Sequence, residues 1–217
     1  MGVQQNNREE GNAFENASAT YEKDVRDHVK TDEWEKMSAM TRGEYLGDKI
    51  DPVITKPKRM DKISYYLGIA EAVAQRGTCL RRKFGAVIVK NDSIVSTGYV
   101  GAPRGRRNCC DIGKCFRMEH NIPSGTMYEK CRSVHAEMNA IIAADKEEMM
   151  GAVLYLVGIE NDGSITPKAD CCAMCKRMII NSGISIVVIK TPDGFKPINV
   201  SEWVTQDDSL DIKHEGY

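Results

Sequence analysis

Apolar residues fall into two periods along this chain, and the switches between them mark out its elements. Ile63, Leu67, Ala70, Val73 and Ala74 recur at three- to four-residue spacing between Met60 and Gly77, which predicts one amphipathic helix. Phe84 to Val89 and Ile94 to Tyr99 are β-rich runs separated by the turn-prone pair Asn91-Asp92, so they read as a hairpin. A long loop containing Gly, Arg and Cys follows. The pattern then predicts a helix over His135 to Ala144, a buried strand over Ala152 to Val157, a helix over Cys172 to Ser182 ended by Gly183, and another buried strand over Ile184 to Ile189. Strand, helix and strand in alternation imply a parallel portion of sheet covered by helices, and hence an α/β fold.

The flanks lack this patterning. Residues 1–57 are rich in Asn, Glu, Lys and Asp, show no sustained apolar period, and close on Asp51-Pro52 and Lys56-Pro57. They read as a polar N-terminal extension, disordered or a docking arm, in which Trp34, Met37, Met40 and Tyr45 could form one short amphipathic helix. The folded domain is expected over residues 58–200, with a C-terminal tail over 201–217.

Chemistry enters at His135-Ala136-Glu137 and at Cys172-Ala173-Met174-Cys175. One imidazole and two thiolates supply three ligands to a tetrahedral zinc and leave its fourth corner open for water, the feature that separates a catalytic site from a closed structural one. Glu137 is then the proton shuttle. Zinc deaminases carry this order of residues, H-x-E followed by P-C-x-x-C, with the Glu as general acid and base rather than ligand. The chain departs from that signature at one place, where Cys171 stands instead of proline. Both ligand groups open predicted helices, whose positive ends favour thiolates.

Composition narrows the reading. With a formal net charge of −1 and 6% aromatic residues among 217, the chain has no general attraction to polyanions and few stacking platforms, so a small-molecule substrate is expected and nucleic acid is not. Nothing resembles an apolar membrane span or a signal-peptide core, and Asn6 sits where a myristoylation signal starting at Gly2 needs Ser or Thr; a soluble, cytoplasmic protein is expected. Without a secretory signal, the eight cysteines read as metal-binding or catalytic rather than as a disulfide framework.

Over residues 58–192 the chain resembles the deoxycytidylate (dCMP) deaminases of the cytidine deaminase superfamily. The matching segments are Cys79 to Val89, Gly98 to Gly105, Cys131 to Ile141, and Cys172 to Gly183. The resemblance implies a three-layer α/β/α sandwich around a mixed five-stranded sheet, a homo-oligomer (hexamer or dimer), and hydrolysis of dCMP to dUMP and ammonia, with regulation by dCTP and dTTP as effectors and Mg2+ accompanying the nucleotide. It implies that Glu137 carries protons between the attacking water, cytosine N3 and the departing amine, with His135, Cys172 and Cys175 on the catalytic zinc. Related deaminases also hold a structural zinc near the long loop, which points to Cys79, Cys109, Cys115 and Cys131, with Cys110 as an alternative to Cys109.

Substrate contacts are read from the same segments. Arg104, Arg106 and Arg107 lie in a Gly-flanked loop suited to a 5′-phosphate, because guanidinium forks match phosphate oxygens. Ser133 and Asn139 flank the motif as further candidates. The family places Asn near the substrate sugar where this chain has Val100, so a hydroxyl contact is expected to be missing there. The connection from Gly158 to Ala169 is lengthened and should reshape the pocket wall. His28, His120 and His214 are given no role. Two alternatives accompany dCMP: another or modified (deoxy)nucleotide, and a base within tRNA or single-stranded DNA, which shares the same metal centre.

Overall fold

The computed structural model describes residues 59–206. Helix α1, Lys62–Gln75, opens with the Ser64 N–H donating to Asp61 Oδ1 at 2.8 Å and buries Tyr66, Leu67, Ala70 and Ala74. Strands β1 (Lys83–Lys90) and β2 (Ser93–Tyr99) form the predicted hairpin. Asn91 and Asp92 both take positive φ, 50° and 61°, as a two-residue turn matched to strand twist requires. The Tyr66 hydroxyl donates to Asp92 Oδ1 at 2.7 Å.

β3, Val153–Ile159, is buried throughout and pairs antiparallel with β1 and parallel with β4, Ile186–Thr191. β5, Gly194–Asn199, completes a mixed five-stranded sheet in the order β2-β1-β3-β4-β5. The crossover between the parallel strands is the helix Ala173–Ser182. It is numbered α6, after the short helices α2 (Cys109–Ile112) and α3 (Phe116–Glu119), the helix α4 (Ala136–Ile142) and the short α5 (Lys146–Met149). A 3-10 turn spans Tyr128–Lys130, and α7 spans Val200–Thr205.

The sheet has two covered faces, and residues on the paired strands β1 and β2 show both. A Cβ on Gly85 of β1 would stand 2.2 Å from the Ala70 carbonyl oxygen, so α1 presses directly on that side. On the opposite side, a Cβ on Gly98 of β2 would stand 2.3 Å from the Ala136 carbonyl oxygen and from the Ala140 nitrogen, so α4 lies against the sheet there. Ala86, Ile88, Leu154, Leu156, Val187 and Ile189 join Ala136, Ala140, Cys175 and Ile179 in one buried cluster beneath α4 and α6, while Tyr155, one residue along β3, stacks on Tyr66 of α1 at 5.1 Å. The alternation of strand side chains thus builds an α/β/α sandwich, as expected.

Several elements differ from the sequence reading, among them β4, which is shifted to Ile186–Thr191, and the short helices. β3 runs two residues past Val157, and β5, the fifth strand that the resemblance implied, was not located by the pattern: its Phe195-Lys196-Pro197 stretch is exposed, and a proline fits a strand only at a sheet edge, which is where β5 lies. Residues 201–205, assigned to a tail, continue α7, whose Trp203 packs against the core and whose N-cap Asn199 accepts from the Ser201 N–H. The amphipathic helix proposed around Trp34, Met37, Met40 and Tyr45, along with His28, His214 and the rest of the tail, lies outside the described residues. None of the described helices is long and apolar enough to cross a membrane.

Candidate metal centre and active site

Two helix N-termini build the centre. His135 is the N-cap of α4 and Cys172 the N-cap of α6, both with extended backbone, and Cys175 sits in the first turn of α6. α4 is fixed by its backbone contact with Gly98, by Ser96 Oγ donating to the Ala140 carbonyl at 2.8 Å, and by Asn139 Nδ2 donating to the Tyr99 carbonyl at 2.7 Å. α6 is fixed as the crossover between β3 and β4 and ends at Gly183, whose φ of 81° suits a residue without Cβ.

His135 Nδ1 lies 3.4 Å from Cys172 Sγ and 3.4 Å from Cys175 Sγ, and all three donor atoms fall within 4.8 Å of one another. Tetrahedral zinc with ordinary bond lengths spaces a nitrogen and a sulfur ligand by about 3.6 Å. The donor set therefore fits such an ion in both type and spacing. Electrostatics point the same way. The hydrogen bond from Cys175 lowers Cys172 to about 4, with His135 helping against the opposing effect of burial, and the same hydrogen bond pushes Cys175 up. One negative charge is shared by two thiols, and a divalent cation lets both ionise.

Glu137, in the first turn of α4, is 4% exposed. Burial raises its pKa first, and the Cys172 charge adds to that, opposed by His135. Its carboxyl can hold a proton beside the donor set, the property a proton shuttle needs. For His135, burial works against protonation, but the hydrogen bond to Cys172 and the Glu137 charge outweigh it and the imidazole pKa is raised. Cys171 is 3% exposed and belongs to the core, its thiol pushed well up by burial.

The second cysteine group is arranged differently. Cys79, Cys109, Cys115 and Cys131 line one cavity of about 50 Å³ together with Lys114, Arg117, Ser133 and others. Among the described residues, only His135, Cys172 and Cys175 bring three metal-ligand atoms mutually within 4.8 Å, so the four thiols share a pocket without reaching ligand spacing. Cys109 is buried and faces this cavity, whereas Cys110 is exposed beside Asp111.

The substrate candidates are dispersed. The Arg104, Arg106 and Arg107 loop is exposed and starts at Gly101, which forms a two-way backbone bridge with Val134, next to His135. Arg107 donates to the Asp111 carbonyl at 3.1 Å. Ser133 faces the four-cysteine cavity. Val100 is 6% exposed, and its Cγ1 lies 3.2 Å from where a Cβ on Gly77 would stand. The long connection after β3 folds back on itself through an Ile159–Ile165 bridge and is tied to Arg82 by Glu160 at 2.8 Å and to the Leu80 carbonyl by Asn161. His120 stacks on Phe116 at 4.0 Å.

Sequence reasoning missed two residues at the centre. The Tyr128 ring stands perpendicular to the His135 ring, interplanar angle 88°, with centroids 4.8 Å apart. The Arg117 guanidinium lies 4.7 Å from the Tyr128 ring centroid and is 3% exposed. A lone Arg and a lone Tyr in a polar loop carry no periodicity, so only their contacts reveal them.

Comparison with known proteins settles the family. Residues 60–191 match the model of the cytidine and deoxycytidylate deaminase zinc-binding region. The chain belongs to that family. The matched span includes His135, Glu137, Cys172 and Cys175, and zinc is the metal this region binds. The deoxycytidylate deaminase of Mycobacterium phage D29 is 38% identical over 134 residues, covering 60% of this chain and 94% of that one. The deoxycytidylate deaminase of Schizosaccharomyces pombe is 31% identical over 165 residues, covering 76% of this chain and 44% of that one. A crystal structure of dCMP deaminase from the cyanophage S-TIM5 aligns with 26% identity and a TM-score of 0.43, over 61% of this chain and 86% of that chain.

Proposed function

We propose that this chain is a zinc-dependent hydrolase that converts dCMP and water to dUMP and ammonia. The observation that carries the reading is the buried Glu137 in the first turn of the helix whose N-cap is His135, beside two thiols spaced to share an ion with that imidazole. A purely structural ion has no use for a protonatable carboxyl sealed next to it. Similarity to proteins named deoxycytidylate deaminase supports the choice of nucleotide.

His135, Cys172 and Cys175 would hold the ion and leave one position open. When bound, zinc supplies a Lewis acid that brings the pKa of a coordinated water toward neutrality. Glu137 accepts one proton from the attacking water and delivers it to cytosine N3, then takes the second proton from the same oxygen as the C4 carbonyl forms and delivers it to the amine, which leaves as ammonia. Burial raises its carboxyl pKa, which favours the protonated form between the two transfers. The Arg104, Arg106 and Arg107 loop is assigned to the 5′-phosphate, since its anchoring bridge at Gly101 places it beside the segment that leads into His135.

A second, closed zinc held by Cys79, Cys109, Cys115 and Cys131 belongs to the same reading, supported by the four thiols lining one cavity. Homo-oligomer assembly and control by dCTP or dTTP with Mg2+ complete it. Ammonia release from a panel of dCMP, CMP, dCTP, deoxycytidine and a short single-stranded DNA tests the substrate. The expected result is dCMP turned over with the highest kcat/KM. Faster release from the DNA or from the unphosphorylated nucleoside would overturn it.

A further inference from the structure

The loop between Cys115 and Cys131 has no part in the reaction just described, yet its side chains reach the metal centre. Arg117 is a buried cation whose guanidinium donates to the carbonyls of Pro123 at 2.6 Å, Met127 at 2.8 Å and Thr126. Those carbonyls belong to a tight stretch in which Asn121, Gly125 and Met127 all take positive φ, at 51°, 92° and 49°. Left-handed backbone at non-glycine residues persists only where surrounding contacts hold it, and the guanidinium fork provides them. The result is a fixed position for Tyr128, directly after Met127. Its hydroxyl accepts from the Gly125 N–H at 3.1 Å, and the Arg117 guanidinium lies 4.7 Å from its ring centroid.

Tyr128 in turn meets His135 ring to ring, perpendicular, at 4.8 Å. Most ligating imidazoles are oriented by a carboxylate or carbonyl on the nitrogen away from the metal. Among the described residues, His135 Nδ1 meets the two thiols and Tyr128 is the aromatic neighbour of the ring. We infer that Tyr128, held by Arg117, is the positioning residue for His135: it fixes the imidazole plane so that Nδ1 is aimed between Cys172 and Cys175 before an ion arrives. A ligand already held in its bound orientation loses less freedom on binding, so the ion is held more tightly. The inference rests on the zinc reading of the centre and not on the identity of the nucleotide.

The test is a zinc titration against a chromophoric chelator, with the Co2+-loaded protein examined in the visible range. His135→Ala identifies the scored ion as the one it loses. Tyr128→Phe, which keeps the ring, should match wild type. Tyr128→Leu should melt, without metal, at the same temperature as Tyr128→Phe, yet hold that zinc about tenfold more weakly and show altered Co2+ bands. Unchanged affinity and bands in Tyr128→Leu would overturn the inference, as would an equal loss in Tyr128→Phe, which would assign the effect to the hydroxyl. So would a His135→Ala protein retaining every ion, which removes the centre itself. If dCMP released no ammonia from wild type while Tyr128→Leu still loosened the zinc, the substrate assignment would fall and the positioning role would stand.

Discussion

The two cysteine groups of this protein sit on opposite kinds of scaffold. His135, Cys172 and Cys175 hang from the N-termini of α4 and α6, which are clamped over the buried central strands of the sheet, and their donor atoms already lie within 4.8 Å of one another. Cys79 precedes β1 in a loop, Cys109 opens the four-residue α2, Cys115 caps the four-residue α3, and Cys131 follows the 3-10 turn. In the first group, packing of the core makes the site, so its ion is free to serve chemistry. In the second, the elements are too short to bury a core of their own, and an ion bound there would do the ordering, so that binding and local folding are one event.

Substitutions at the two groups should therefore fail differently. Cys175→Ala has the largest expected effect: one zinc per chain is lost and dCMP deamination falls to background, while the second zinc stays. Metal analysis beside an ammonia assay checks this. Cys131→Ser should instead lower the melting temperature by on the order of 10 °C, since a structural ion contributes folding energy, with KM for dCMP close to wild type. Equal stability losses at the two sites would erase the contrast.

A finer cut compares the two faces of the sheet. Gly98→Ala and Gly85→Ala each force a methyl into helix backbone, at α4 and α1 respectively, and each should cost about 2–3 kcal/mol by overpacking. Only Gly98→Ala moves the helix that carries His135 and Glu137, so only it should also lower kcat, as denaturant melts paired with kinetics would reveal. The smallest effect is assigned to Val100→Asn. Because Val100 is buried against Gly77, the amide should cost roughly 1–2 kcal/mol of stability as a poorly paired buried polar group and leave KM for dCMP unchanged. A lowered KM would return position 100 to the place beside the sugar that the family resemblance implies for its Asn.

What the sequence revealed follows the same division. Helical and strand periods located α1, the β1–β2 hairpin, α4, β3, α6 and β4, because each buries a continuous apolar stripe that leaves a period behind. The motif spacing named the three donors and Glu137 because ligand chemistry demands those residue types in that order. Polar packing leaves no such trace. Arg117, Tyr128 and the Asn139 amide that holds the Tyr99 carbonyl act through single long-range contacts, and β5 was hidden by Lys196 and Pro197 on an exposed edge.

The chemistry turns on Glu137 as the group that moves protons beside an ion it does not ligate. One paired measurement on Glu137→Gln tests this most directly: zinc per chain and kcat for dCMP on the same preparation. The amide keeps the shape and cannot exchange the protons, so zinc content and melting temperature should equal wild type while kcat falls by roughly 10²–10⁴-fold. Turnover at the wild-type rate, or loss of the zinc together with the activity, would contradict it.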